Sequence, residues 1–183
     1  MTSPLWRQTG GIWPLGVSCS LTWYDVGAIM HIIQVRHIRN IVEIGIEHGG
    51  LSAYLAAYCA VTDGDYYGID ITLNPMDPRA RSYIGDSLML VEQHDAWAPE
   101  TIDRVRAWIA ARSGPALIIC DGGDKPKELH LYAPLLRPGD VLIGHDYHNE
   151  YGDEAIADVP AKQLHADWLD DTLLCMFVAR EDT

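Results

Sequence analysis

The sequence is short of basic residues, and this shortage limits its partners. It has 13 Lys and Arg against 26 Asp and Glu, which gives a net charge of -13 over 183 residues. An acidic surface repels phosphate backbones, and no Lys/Arg-rich run offsets that field. We therefore expect no nucleic-acid partner and a small molecule as ligand.

Paired cysteines and long apolar runs are also missing. The four cysteines form no CxxC pair of the kind that binds zinc or performs redox chemistry. Apolar runs such as Ala116 to Cys120 fall far short of the ~20 residues that cross a bilayer. Arg7 and Gln8 interrupt the first 13 residues, which is atypical of a secretory signal. The sequence predicts a cytoplasmic protein with no membrane partner.

The chain does contain a regular alternation of helical and strand-like segments. Short apolar runs predict strands near 41–45, 66–71, 81–84, 116–120, 141–144 and 173–178, with helical periodicity between most of them. The runs are apolar throughout, which is typical of a parallel sheet covered on both faces. The length suits one compact domain of the α/β, doubly wound class.

Polar residues follow the predicted strands. The sequences IEHGG, DIT, GDS, DGGDK and HDYH come after the first five of them in order. In doubly wound sheets, ligands bind outside the carboxyl ends of the strands. These five segments are therefore the candidate site.

The first segment is a glycine-rich bend that lets a ligand approach the backbone. It contains Glu43, Gly45, Glu47, Gly49 and Gly50, and the following helix would point its amides at the ligand. The glycine spacing differs from the G-x-G-x-x-G pattern of dinucleotide sites, and two acids would repel a pyrophosphate. An ammonium or sulfonium ligand suits them better, although an ordinary strand-to-helix turn remains the alternative.

The next two segments favour a nucleoside. Asp70 and Ile71 end the second strand, and Asp70 comes 25 residues after the first glycine of the bend. This is close to the ~20 residues expected for an acid that accepts ribose hydroxyls, although a helix cap is the alternative. Gly85, Asp86 and Ser87 after the predicted third strand could border an adenine.

These residues carry a resemblance to a known family. IVEIGIEHGGLSAYLA, YYGIDI and YIGDSL resemble the cofactor-binding series of class I S-adenosylmethionine-dependent methyltransferases. ALIICDGGDKPKELHLYAPLLRPGDVLIGHDY resembles the metal-dependent small-molecule O-methyltransferases, most of all the cephalosporin-hydroxylase-type and sugar or macrolide enzymes. The resemblance implies a single Rossmann-like methyltransferase domain. In it, 1–39 form an aromatic segment and helix, 40–147 the cofactor-binding core, and 148–183 a C-terminal strand region.

The resemblance also implies roles for the cofactor-side residues. Glu43 and Gly45 would lie beside the methionine part of S-adenosylmethionine, Asp70 would hold the ribose, and Asp86 with Ser87 would line the adenine. The predicted cofactor-binding set is completed by Glu47, Gly49, Gly50, Ile71, Gly85 and Asp121.

By the same resemblance, Asp121, His145 and Asp146 would hold a divalent cation, Mg²⁺ or Mn²⁺. Relatives have two oxygen ligands in succession where this chain has His145 before Asp146. His145 is therefore a ligand, a base or a packing residue, and an imidazole would also suit iron or zinc. Lys125 is the second catalytic candidate, although DGGDK offsets it from the family's aspartate loop.

The predicted function is metal-assisted methyl transfer from S-adenosylmethionine to a hydroxyl of a sugar or natural-product acceptor. A nicotinamide-dependent oxidoreductase and a non-catalytic metabolite-binding module are the alternatives. Few residues follow Tyr147, so the acceptor pocket is either open or completed in a homo-oligomer. Aromatic residues near the N-terminus predict a lid over the acceptor or a core or subunit contact: Trp6, Trp13, Trp23 and Tyr24.

Overall fold

The computed structural model describes residues 12, 14–85 and 89–180, and it confirms the predicted α/β class. Its α-helices are α1 (Trp23–Val35), α2 (Gly50–Thr62), α3 (Pro78–Ile84), α4 (Pro99–Ala110), α5 (Lys125–Tyr132) and α6 (Asp153–Ile156). Its strands are β1 (Asn40–Ile44), β2 (Asp65–Asp70), β3 (Met89–Gln93), β4 (Ala116–Cys120), β5 (Val141–Gly144), β6 (Lys162–Leu164) and β7 (Cys175–Val178). None of the helices described is long and apolar enough to cross a membrane.

The strands form one mixed sheet in the order β3-β2-β1-β4-β5-β7-β6. The neighbouring pairs from β3 to β5 are parallel, and β7 runs antiparallel to β5 and β6. The chain moves outward from β1 to β2 and β3, then returns to the other side of β1 as β4. β1 and β4 therefore border the switch point at which sheets of this type bind ligands.

Helices cover both faces of the sheet, which explains why the central strands are apolar throughout. Successive strand residues point to opposite faces. Ile41 and Ile119 pack with α1 and α2, whereas Val42 and Ile118 pack with α4 and α5. All residues of β1, β4 and β5 are buried.

The predicted strand at 81–84 is wrong, because those residues belong to α3. Its N-cap Asp77 accepts a backbone hydrogen bond and Pro78 is its first residue. An aspartate cap followed by proline is a helix start signal, and here it outweighs the short RSYI run. The third strand is β3 instead, so Gly85 ends α3 and precedes the strand. Asp86 and Ser87 lie outside the described residues.

Candidate active site

A cavity of about 660 Å³ opens at the carboxyl ends of β1, β2, β4 and β5. It is the pocket at the switch point, and most of the predicted site residues meet there. Those that line it are Glu43, Gly45, Glu47, Gly50, Asp70, Ile71, Asp121, Lys125, His145 and Asp146. Gly49 lies beside the lining as the N-cap of α2, and Gly85 is elsewhere, at the end of α3.

The bend between β1 and α2 depends on the close approach of two loops. Gly45 has a φ of 88°, and a Cβ there would overlap the backbone carbonyl of Asp121. Its backbone N–H donates to Ile69 O at 2.9 Å. The glycine is therefore required for contact between the ends of β1 and β4, as well as for space beside a ligand.

Asp70 supports this bend through its carboxylate. Its Oδ2 accepts backbone hydrogen bonds from Ile46 at 2.7 Å and Glu47 at 3.1 Å, and its Oδ1 accepts one from Thr72 at 3.0 Å. A carboxylate has about four acceptor sites, so one remains on Oδ1 for a ligand hydroxyl. The backbone of Glu47 has a φ of 50°, which is uncommon for a residue other than glycine, and these bonds help to hold that conformation.

Glu43 is a buried acid at the inner wall of the pocket. It lies in β1 with 2% exposure and accepts a short hydrogen bond from the Tyr66 hydroxyl. Burial raises the pKa of Glu43, the Tyr66 bond opposes this effect, and the nearby carboxylates of Asp121 and Asp70 add to it, so that the pKa is about 8. The carboxyl is therefore largely neutral at pH 7.

The loop after β3 forms another wall of the cavity, at the strand end that the sequence had assigned to Gly85, Asp86 and Ser87. Asp95, Ala96 and Trp97 line the cavity together with Gly122. Glu128 also lines it, is 1% exposed, and accepts a hydrogen bond from Gly122 N at 3.1 Å. Burial raises the pKa of Glu128 to about 7. Glu128 was not predicted as a site residue; its Asp124 cap marked the helix but gave no sign that the side chain turns inward.

Asp121, His145 and Asp146 form a compact group in the wall of the same cavity, at the ends of β4 and β5. One ligand atom from each lies within 4.8 Å of the others. His145 Nδ1 is 2.9 Å from Asp121 Oδ1 and 3.5 Å from Asp146 Oδ2. Burial lowers the pKa of His145, but bonding to Asp121 and Asp25 raises it more, to about 10. Burial raises the pKa of Asp121.

Lys125 supplies a second positive charge to this group. Its Nζ lies 2.9 Å from Asp146 Oδ2 and 2.9 Å from Glu150 Oε2. Burial lowers the pKa of Lys125, but these two carboxylates outweigh that effect and raise it above its ordinary value. Lys125 is therefore protonated in the free protein.

Asp25 is a site residue that the sequence analysis missed. It lies in α1, is fully buried, and its Oδ2 is 3.8 Å from His145 Nε2. Burial raises the pKa of Asp25, but the facing imidazole of His145 and hydrogen bonds from Thr22 and Leu173 lower it below its ordinary value. A capping box between Thr22 and Asp25 was visible in the sequence, but it signals only a helix start.

The ionisable side chains in and around the Asp121 group carry an excess of negative charge. Four carboxylates, those of Asp25, Asp121, Asp146 and Glu150, surround the two cations, His145 and Lys125. With all six groups ionised, the sum is about -2. Such an environment favours cationic ligands.

The segment before α1 forms the rim of the cavity. Ser18, Cys19, Ser20 and Leu21 line it, and Ser20 Oγ donates to Glu47 Oε2 at 2.7 Å. Trp23 and Tyr24 follow with side chains exposed to solvent. Trp6 and Trp13 lie outside the described residues, so the predicted aromatic lid stays a prediction.

Comparison with protein families gives a match over most of the chain. The family described as rhamnosyl O-methyltransferase/CmcI matches residues 12–166. No protein with a curated description is similar enough in sequence to match.

Solved structures share the fold at low sequence identity. CmcI in its apo form is 18% identical, with a TM-score of 0.63, over 90% of this chain and 75% of that chain. CmcI with magnesium and S-adenosylmethionine is 17% identical, with the same TM-score and coverage. A proposed caffeoyl-CoA O-methyltransferase from Staphylococcus aureus is 15% identical, with a TM-score of 0.56, over 84% of this chain and 82% of that one. These similarities confirm the Rossmann-like methyltransferase fold.

Proposed function

The chain belongs to the rhamnosyl O-methyltransferase/CmcI family, and from that premise we propose that it moves the methyl group of S-adenosylmethionine onto a hydroxyl group of a small molecule. The observation that carries the proposal is the pocket at the switch point, where the glycine-rich bend and the Asp121 group face one cavity. Its volume of about 660 Å³ is typical of a small-ligand site. The family match favours this activity over the nicotinamide alternative.

The residues around the glycine-rich bend between β1 and α2 suit the cofactor. Glu43 and Glu47 provide carboxyl groups for the cationic methionine part, and Gly45 leaves the backbone accessible. Asp70 has one acceptor site left for a ribose hydroxyl, so we expect one direct bond there instead of the two expected from the sequence.

The adenine is expected against the loop after β3. Asp95, Ala96 and Trp97 line the pocket at the strand end that the sequence analysis assigned to Gly85, Asp86 and Ser87. An aromatic ring and a carboxylate beside backbone amides are suited to a purine.

The Asp121 group suits a divalent cation. Two carboxylates and one imidazole nitrogen face the cavity within 4.8 Å of one another, in surroundings with excess negative charge. Asp121, His145 and Asp146 would hold the ion. To do so, His145 Nδ1 must release the proton that it shares with Asp121, and Lys125 must give way on Asp146.

The chemistry that this pocket performs is an in-line displacement at the methyl group. When bound, S-adenosylmethionine would supply the methyl group, whose bond to sulfur breaks as the bond to the acceptor oxygen forms, and a divalent cation would lower the pKa of the acceptor hydroxyl so that its proton passes to water. Lys125, held protonated by its carboxylates, stabilises negative charge on the acceptor oxygen and does not act as a base.

The proposal is tested by incubation of the protein with S-adenosylmethionine and a panel of sugar and polyketide alcohols, followed by mass spectrometry. We expect one acceptor class to gain a methyl group while S-adenosylhomocysteine forms. Cofactor binding without turnover on any hydroxyl would favour the non-catalytic binding module instead. Absence of cofactor binding would contradict both readings of the pocket.

A further inference from the structure

His145 lies between carboxylates that face opposite edges of its ring. Nδ1 faces the cavity, 2.9 Å from Asp121 and 3.5 Å from Asp146. Nε2 faces away from the cavity toward Asp25, at 3.8 Å, and has no hydrogen-bond partner among the residues that the structure describes. The side chain is 4% exposed, so water has little access to that buried nitrogen.

The Asp25 carboxylate is held firmly in this orientation. Oδ1 accepts a hydrogen bond from Leu173 N at 2.8 Å, and Oδ2 accepts from Thr22 N at 2.8 Å and Thr22 Oγ1 at 2.7 Å. These bonds fix it to the start of α1 and to the segment before β7. A capping role alone does not require a fully buried charge, which is costly unless it is paired. His145 is the cation that faces it.

The geometry points to Asp25 as a positioning residue that accepts Nε2–H of His145 and thereby presents Nδ1 to a divalent cation together with Asp121 and Asp146. The inference rests on the proposed function for the location of the cation site. It adds the metal class: a site with one imidazole prefers Zn²⁺, Co²⁺ or Mn²⁺ to Mg²⁺.

A physical argument supports this arrangement. Histidines that bind metals almost always donate the other ring N–H to a carboxylate, carbonyl or water, which fixes the tautomer and the ring plane. Once Nδ1 has lost its proton to bind a metal, Nε2 carries the ring's remaining proton and Asp25 is the acceptor in front of it. A shift of roughly 1 Å would bring the pair to the ~2.8 Å of a charge-assisted hydrogen bond.

The direct test is ¹⁵N NMR of histidine-labelled protein during titration with Zn²⁺, with His145→Gln used to assign the signals. We expect His145 Nδ1 to take the shift of a metal-bound nitrogen while Nε2 stays protonated. Binding of Zn²⁺ through Nε2, or without any change at His145, would overturn the inference. Absence of Zn²⁺ binding would overturn it as well.

A matched pair of variants isolates the carboxylate. Asp25→Asn keeps the shape of the side chain, and we expect a loss of about 10- to 100-fold in Co²⁺ affinity by calorimetry and a mixture of His145 tautomers. Asp140→Asn makes the same change at another buried aspartate, which precedes β5 at the end of that strand away from the cavity, so its Co²⁺ affinity should equal that of the parent. Unchanged affinity and tautomer in folded Asp25→Asn would refute the role. If that variant fails to fold, the parent NMR titration decides.

The metal preference gives a separate readout. His145→Glu places an oxygen ligand at this position, and we expect its affinity for Mg²⁺ to rise relative to that for Co²⁺. An unchanged ratio would contradict the assignment of the metal class. S-adenosylmethionine binding, measured on the same samples, separates failure of this inference from failure of the proposed function. If the protein binds S-adenosylmethionine but binds none of these cations, the cation site is refuted and the cofactor site stands.

Discussion

Ionisation of the buried Glu43 should lower the stability of the protein as the pH rises. Burial holds the folded-state pKa at about 8, whereas the ordinary value is 4.5. Between these values the folded protein binds one more proton than the unfolded chain does. The stabilisation is therefore fully present below about pH 4.5 and is lost as the pH rises through about 8.

The size of the effect follows from that one proton. A one-proton difference changes the free energy of unfolding by about 1.4 kcal/mol per pH unit. Between pH 5.5 and 7.5, Glu43 should thus remove about 2 to 3 kcal/mol. Glu43→Gln keeps a neutral group of similar shape beside Tyr66. The stability of this variant should therefore lack the pH dependence that Glu43 causes.

Urea unfolding of the parent and of Glu43→Gln at pH 5.5, 6.5 and 7.5 measures the effect. Glu128 and His145 also have raised pKa values, but both remain in the variant, so their contributions cancel in the difference. We expect the stability of the variant to rise relative to that of the parent by about 2 to 3 kcal/mol over this range. A difference that stays constant with pH would refute the reasoning.

Three further predictions concern the bend and the scaffold. Gly45→Ala should reduce both stability and cofactor affinity, because its Cβ would overlap the neighbouring backbone. The control Gly114→Ala is also at positive φ but has open space around its Cβ, so it should lower the free energy of unfolding in urea by only about 1 kcal/mol. Asp70→Asn should weaken S-adenosylmethionine binding by about 1.5 to 3 kcal/mol in calorimetry, and equal affinity in the folded variant would contradict its role. Asp140→Ala breaks a buried ion pair and should lower the free energy of unfolding by roughly 3 kcal/mol, with cofactor affinity unchanged in the folded protein.

Much of the fold was predictable because its central strands are uninterrupted apolar runs. β4 and β5 were predicted at their observed bounds, since burial on both faces leaves no polar residue to blur them. β3 was missed because it pairs on one side only and its MLVEQ sequence ends in polar residues. β6 is three residues long and partly exposed, so no apolar pattern marks it.

The site was predictable to the extent that it follows strand ends. Asp70, Asp121 and His145 were identified by that rule, because parallel strands bring their carboxyl ends to one edge. Asp25 could not be found in this way, because it faces the buried edge of His145 from a helix that lies 120 residues earlier in the sequence. Such a contact depends on how the helix packs on the sheet, which local sequence patterns do not encode.

The most direct test of the proposed activity is to measure methyl transfer, before and after removal of metal, to the alcohol that the panel assay identifies as the acceptor. We predict that chelation abolishes transfer, that Mn²⁺ restores it, and that S-adenosylmethionine affinity stays nearly constant throughout. Asp146→Asn should lose activity and regain part of it with excess metal, since the change removes charge at nearly constant shape. Transfer that survives thorough chelation would contradict a metal held by Asp121, His145 and Asp146.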